Sequence, residues 1–257
     1  MTTLNGGVLG AAVSRLGTSM LGAQAAAFLG LAASKALAEA LEESRRLGVA
    51  VEAFVKRWEQ HALWLLLDTL PLGLLYRFAH MERAEVEEAL IGALERVVRG
   101  GIYVEALTQA LDTAPYITTE QRGDLQHGLE HAAAGEFDRA VPPLMVGLEG
   151  ALCSVARAHT LIDAQRRLVE KPDKGPVHRV ELVVRRLPAD EEYARFVCAR
   201  VFGNVGNPVR HGEESGSRRR HALFVVVAIA GWLDAFMEVP AREVLGQMLR
   251  DELISRP

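Results

Sequence analysis

"QRGDLQHGLEHAAAGEFDRAVPPLMVGLEGAL", residues 121–152, is the stretch whose reading decides the fold. Just upstream, Thr118 precedes Gln121 by three positions, the spacing of a helix N-cap and the glutamine that reaches back to it. Residues 114–135 therefore read as a helix that starts at Thr118 and is broken by Gly135. Residues 136–170 read as one long helix after it. Pro142 and Pro143 fall in its first turns, where a missing backbone N–H is tolerated, with a kink as the other outcome.

The same helical grammar extends in both directions. Residues 34–48 place Leu37, Leu41 and Leu47 near one face with charges opposite, and residues 51–70 continue the pattern up to Pro71. Residues 81–101 open acidic, close basic and end at Gly100-Gly101, an order that complements the helix dipole. "KPDKGP" (171–176) is the clearest linker. Beyond it, 189–202 reads as a helix with Asp190 as N-cap, and 203–217 as a loop rich in Gly, Asn and Ser. Helices are expected over 218–237 and 240–255, with Pro240 in a first turn. Only "HRVELVVRRL" (178–187) is ambiguous between helix and strand. The expected fold is all-α, a multi-helix bundle.

Composition supports that class and limits the function. The 257 residues are 49% hydrophobic and only 6% aromatic, with a net charge of −4, so the chain is globular and carries no global basic field for nucleic acid. Two cysteines, Cys153 and Cys198, sit in apolar helical pattern without a CxxC, and a reducing cytoplasm is the default expectation. The uncharged run 16–34 has the length to span a bilayer, but its Gly, Ser, Thr, Gln and Ala content favours a closely packed helix, and a membrane role is not expected. Residues 222–233 are too short to span and read as a central buried helix. No GxSxG, phosphate loop or GxGxxG occurs. His127 and His131 have the i, i+4 spacing of two metal ligands, but Gly128 stands where a zincin carries Glu and no third ligand is apparent. They read as a solvated face, and neither a metal nor a cofactor is expected. The charge runs Glu39, Glu42, Glu43 and Glu85, Glu87, Glu88 read as exposed helix faces.

Polar chemistry concentrates in "FGNVGNPVRHGEESGSRRRH", residues 202–221. Around it Arg195, Arg200, Arg210, Arg218, Arg219 and Arg220 face only Glu213 and Glu214. Such a patch can hold phosphate, and Arg218–Arg220 would open a helix whose N-terminal amides favour an anion. His211 has the ordinary titration range for acid/base work, Arg210 beside it can steady a phosphate, and Asn207 can orient the imidazole. The plainer alternative is a turn at Asn207-Pro208, a stop at Gly212, and arginines that are solvated or pair with acidic surface elsewhere.

Two segments also resemble a known family. In 121–152, Arg122, Leu125, Gly128, Leu129, Gly135, Phe137, Ala140, Val141, Leu144, Leu148, Glu149 and Gly150 match a recurrent bacterial pattern, and "GNPVRHG" (206–212) precedes an apolar helix. Together they resemble the HEPN-related, abortive-infection-like helical proteins, over about residues 115–238. The resemblance implies an all-α, often dimeric protein of phage defence or toxin–antitoxin systems. In active members it implies a metal-independent endoribonuclease with an Arg-x4–6-His motif. It further implies RNA as substrate and a homodimer or a complex with another defence protein as assembly. On that reading the chain divides into an N-terminal helical region, 1–113, for packing or assembly, and a HEPN-like domain, 114–257, with its linker near 171–177.

The match departs at one position. With Asn207 and His211 aligned to the motif, Gly206 stands where its arginine belongs. The catalytic assignment implied is His211 as acid/base, Arg210 as phosphate ligand and Asn207 as orienting group. Arg200, Arg218, Arg219, Arg220 and His221 would contact substrate. The alternative is a catalytically inactive helical scaffold or interaction subunit that kept the fold and lost the nuclease.

Overall fold

The computed structural model describes residues 31–58, 64–67, 69–163, 169, 193, 196–198, 201–202, 218–237 and 239–255, with backbone alone at 31–41, 55, 57–58 and 64–65. Among these residues there are nine α-helices and no strand, so the chain is all-α as expected. The chain divides into two compact units, Met1–Val86 and Glu87–Pro257. The division lies upstream of the expected 113/114 boundary. The ambiguous 178–187 segment, the 171–176 linker and Asp190 lie outside the described residues.

The first unit holds α1 (Leu31–Trp58), α2 (Trp64–Leu67) and α3 (Leu72–Ala79). Pro71 ends the preceding turn and opens α3, its carbonyl accepting from Leu74 and Leu75. Helix α1 packs on α3 through Phe54 and Phe78, whose ring centroids lie 6.4 Å apart. Val51, Leu66, Leu67, Leu70 and Leu74 are buried.

The second unit starts within α4 (Arg83–Arg99) and continues through α5 (Ile102–Thr113), α6 (Thr119–Ala133), α7 (Phe137–Ala158), α8 (Arg218–Met237) and α9 (Ala241–Ser255). Helix α5 belongs to this unit because it packs against α6; Arg122 of α6 donates from Nε to the Leu111 carbonyl at 3.0 Å. Thr118 and Gln121 form the expected reciprocal capping box at the start of α6. Helices α6 and α7 then pack antiparallel and close together. A Cβ at Gly128 would lie 2.6 Å from Leu144 Cγ, and one at Gly147 would lie 2.5 Å from Leu125 Cγ. These two glycines let the backbones approach. The motif positions Leu125, Gly128, Leu129, Leu144 and Leu148 are buried.

Pro142 and Pro143 lie inside α7. Each removes one donor, and the carbonyls left over, those of Asp138 and Arg139, belong to exposed residues in the first turn where water can serve them. The two helices end by the same device. After α6, Gly135 N–H donates to Ala132 and Glu136 N–H to His131, with Gly135 at φ 78°. After α7, Thr160 N–H donates to Arg157 and Leu161 N–H to Ala156, with Thr160 at φ 55°. Both are Schellman closures that need a left-handed residue. The continuous helix expected over 136–170 therefore stops at Ala158. A β-branched residue is strained in the left-handed region. Thr160→Gly is expected to stabilise the protein by about 1 kcal/mol. A higher thermal midpoint than wild type is the expected readout; an unchanged or lower one would refute the strain.

Helix α8 is the centre of the second unit and packs on α7 and α9, with further contacts to α5 and α6. Every residue from Ala222 to Leu233 is buried, as expected for a helix apolar on all sides. It is the one described helix long and apolar enough to cross a membrane, yet two thirds of that window is buried within the protein. Asp234 at its end accepts from both the backbone N–H and Nε of Arg242, at 3.1 and 2.7 Å, and so ties α8 to the first turn of α9. Tyr103 of α5 donates its hydroxyl to the Ala241 carbonyl at 3.0 Å. Burial, with the nearby Asp234 charge, holds the Tyr103 phenol well above its ordinary pKa.

Candidate functional site

The sequence-based candidates fall into two groups. Asn207, Arg210 and His211, with Arg195 and Arg200, lie outside the described residues. Arg218, Arg219, Arg220 and His221 form the first turn of α8, and here the geometry is specific.

That turn has no acidic residue of its own. Three guanidinium groups therefore stand at the positive end of a helix dipole, an unfavourable arrangement unless anions lie nearby. Helix α4 supplies most of them. Arg219 Nε donates to Glu95 at 2.7 Å and its Nη1 to Glu88 at 2.8 Å. Arg220 Nη2 lies 2.6 Å from Glu87. Arg218 Nε lies 3.7 Å from Asp138, at the start of α7. Partial burial opposes the charge on Arg219, but the Glu88 and Glu95 carboxylates more than offset this and hold its pKa above the ordinary value. The basic triplet is thus paired, residue by residue, with carboxylates of its own unit.

This pairing corrects one sequence expectation. Glu85 and Glu88 are exposed as expected, but Glu87 keeps only 16% of its side chain exposed, and Glu87 and Glu88 both pair with α8. From the sequence, Glu87 and Glu88 read only as part of a charged face, and Glu95 and Asp138 are not singled out. Their signal would have been charge complementarity between helices distant in the chain, which no local pattern contains.

His221 follows the triplet and is half-buried. Burial first, then the charges of Arg218 and Arg220, lower its pKa. Protonation is therefore disfavoured in the folded state, and the neutral imidazole prevails at neutral pH.

A second polar constellation lies at the α6–α7 turn. His131 Nε2 is 3.1 Å from His127 Nε2, and His131 Nδ1 is 2.7 Å from Glu136 Oε2. The rings meet edge to face with centroids 4.4 Å apart. Arg139 Nη1 also reaches Glu136, at 3.3 Å. The hydrogen bond from His131 leads in holding the Glu136 carboxyl below its ordinary pKa. Among the described residues, no group of three His, Cys, Asp or Glu side chains gathers around one point. Compared with family profiles, curated proteins and solved structures, nothing matches this chain.

Proposed function

We propose that the protein is a HEPN-like, abortive-infection-type helical protein that works as a non-catalytic interaction subunit of a defence complex. The observation that carries this reading is the pairing of Arg218, Arg219 and Arg220 with Asp138, Glu88, Glu95 and Glu87. A guanidinium held by carboxylates in its own fold has its charge compensated, and bringing RNA phosphate to it requires breaking those pairs. The triplet then acts as a clasp between α4 and α8 rather than as a phosphate cradle. Gly206, in place of the motif arginine, points the same way.

The competing reading, a metal-independent endoribonuclease centred on His211, rests on the "NPVRHG" stretch and the implied family chemistry. One experiment separates the two. Purified full-length protein is incubated with mixed RNA in EDTA, beside His211→Ala and Arg219→Ala. The subunit reading expects no cleavage by any of the three, a homodimer or heteromeric assembly on sizing, and a salt-sensitive stability loss of about 1 kcal/mol in Arg219→Ala. Metal-free cleavage by wild type that disappears in His211→Ala would overturn it.

A further inference from the structure

We propose that His127 and His131 form a two-histidine site for a divalent transition-metal ion, with Glu136 as the residue that orients it. The inference is independent of the proposed function.

The argument starts from spacing. Positions i and i+4 put both imidazoles on one face of α6, one turn apart. Such spacing alone is common on solvated helices, and three further observations distinguish this pair. First, the two Nε2 atoms already face each other at 3.1 Å. With metal–nitrogen bonds of about 2 Å, that separation subtends roughly 100° at a shared ion, between a square or octahedral cis angle and a tetrahedral one. Second, Glu136 accepts from His131 Nδ1 at 2.7 Å. That bond keeps a proton on Nδ1 and leaves the Nε2 lone pair for a ligand. A carboxylate behind the distal nitrogen is the arrangement that fixes ring orientation and raises basicity in metal-bound histidines. Third, Glu136 is itself fixed: its backbone N–H closes α6 on the His131 carbonyl, and Arg139 holds its carboxylate.

With the proton on His131 Nδ1, the facing His127 Nε2 is the N–H donor. His127 is exposed, so its ring can move that proton to Nδ1 and turn the freed Nε2 lone pair towards the shared point. The ligand set is two imidazoles with water in the remaining positions, since no third His, Cys, Asp or Glu converges among the described residues. Imidazole nitrogens select zinc, copper or nickel over magnesium or calcium, and copper is expected to bind more tightly than zinc.

The test is titration of chelator-stripped, full-length protein with zinc and, separately, copper. Equilibrium dialysis gives the stoichiometry, and copper electron paramagnetic resonance reports nitrogen coordination. Variants are His127→Ala, His131→Ala and Glu136→Gln. Because His127 is exposed and alanine favours helix, His127→Ala is expected to melt like wild type without metal. The expected result is one ion fewer bound per chain in both histidine variants, and binding at this site about 10-fold weaker in Glu136→Gln. Equal stoichiometry and affinity in wild type and His127→Ala would overturn the site. Wild-type affinity in Glu136→Gln would overturn the orienting role.

Discussion

Gly128→Ala is expected to destabilise the C-terminal unit by about 1 kcal/mol, although alanine is the better helix former. In an open helical position the substitution gains about 1 kcal/mol. At Gly128 the added methyl would sit 2.6 and 2.8 Å from the Leu144 side chain and 2.9 Å from the Leu144 backbone nitrogen. Leu144 is fully buried, and the backbone of α7 cannot yield without disturbing the whole hairpin. Overpacking of a close contact costs about 1–3 kcal/mol, at times more, and here it exceeds the propensity gain. Gly123→Ala is the control on the same helix. Its Cβ would meet nothing within 4 Å, and a gain of about 1 kcal/mol is expected. Urea unfolding followed by circular dichroism should move the two midpoints in opposite directions. A shift in the same direction for both would remove the close approach as the reason for Gly128.

Trp232→Ala is expected to cost about 3–5 kcal/mol. The indole is 1% exposed on the helix at the centre of the unit, with Phe236 at 6.0 Å between ring centroids. Removing it leaves a cavity among α8 and the helices around it, and close-packed neighbours relax into such a space only in part. Against a total stability of about 5–15 kcal/mol, that loss threatens folding at ordinary temperature. Ile254→Ala, at a position 60% exposed on α9, should change stability by no more than about 0.5 kcal/mol. Comparable losses in the two variants, measured by urea unfolding, would deny α8 its central place.

These substitutions bear on what the resemblance means. Leu125, Gly128 and Leu144 match the pattern, and they lie on the contact between α6 and α7. Gly150 continues it, close against the Gln121 side chain that also completes the cap of α6. These positions specify how the two helices meet. The other half of the resemblance, Asn207, Arg210 and His211, lies outside the described residues, and the RNA-cleavage comparison with His211→Ala tests it.

By itself the sequence determined the class of the fold and many helix ends, because those depend on near neighbours. Thr118 with Gln121 names a helix start, Pro71 and Gly135 name stops, and the uninterrupted apolar run 222–233 names a buried helix. The stop at Thr160 was not legible. A threonine carries no stop signal, and its left-handed backbone at φ 55° is imposed by the closure around it. Nor did the sequence show what Arg218–Arg220 are for. The same triplet suits a phosphate site or an internal clasp, and its pairing with Glu87, Glu88 and Glu95 appears only in the tertiary structure. Glu136 is a similar case, five residues beyond His131 and outside the helix that holds it, yet brought to its ring by the Gly135 turn. Local order follows from propensity and capping within a few residues; charge pairing and ligand geometry depend on which helices the core brings together.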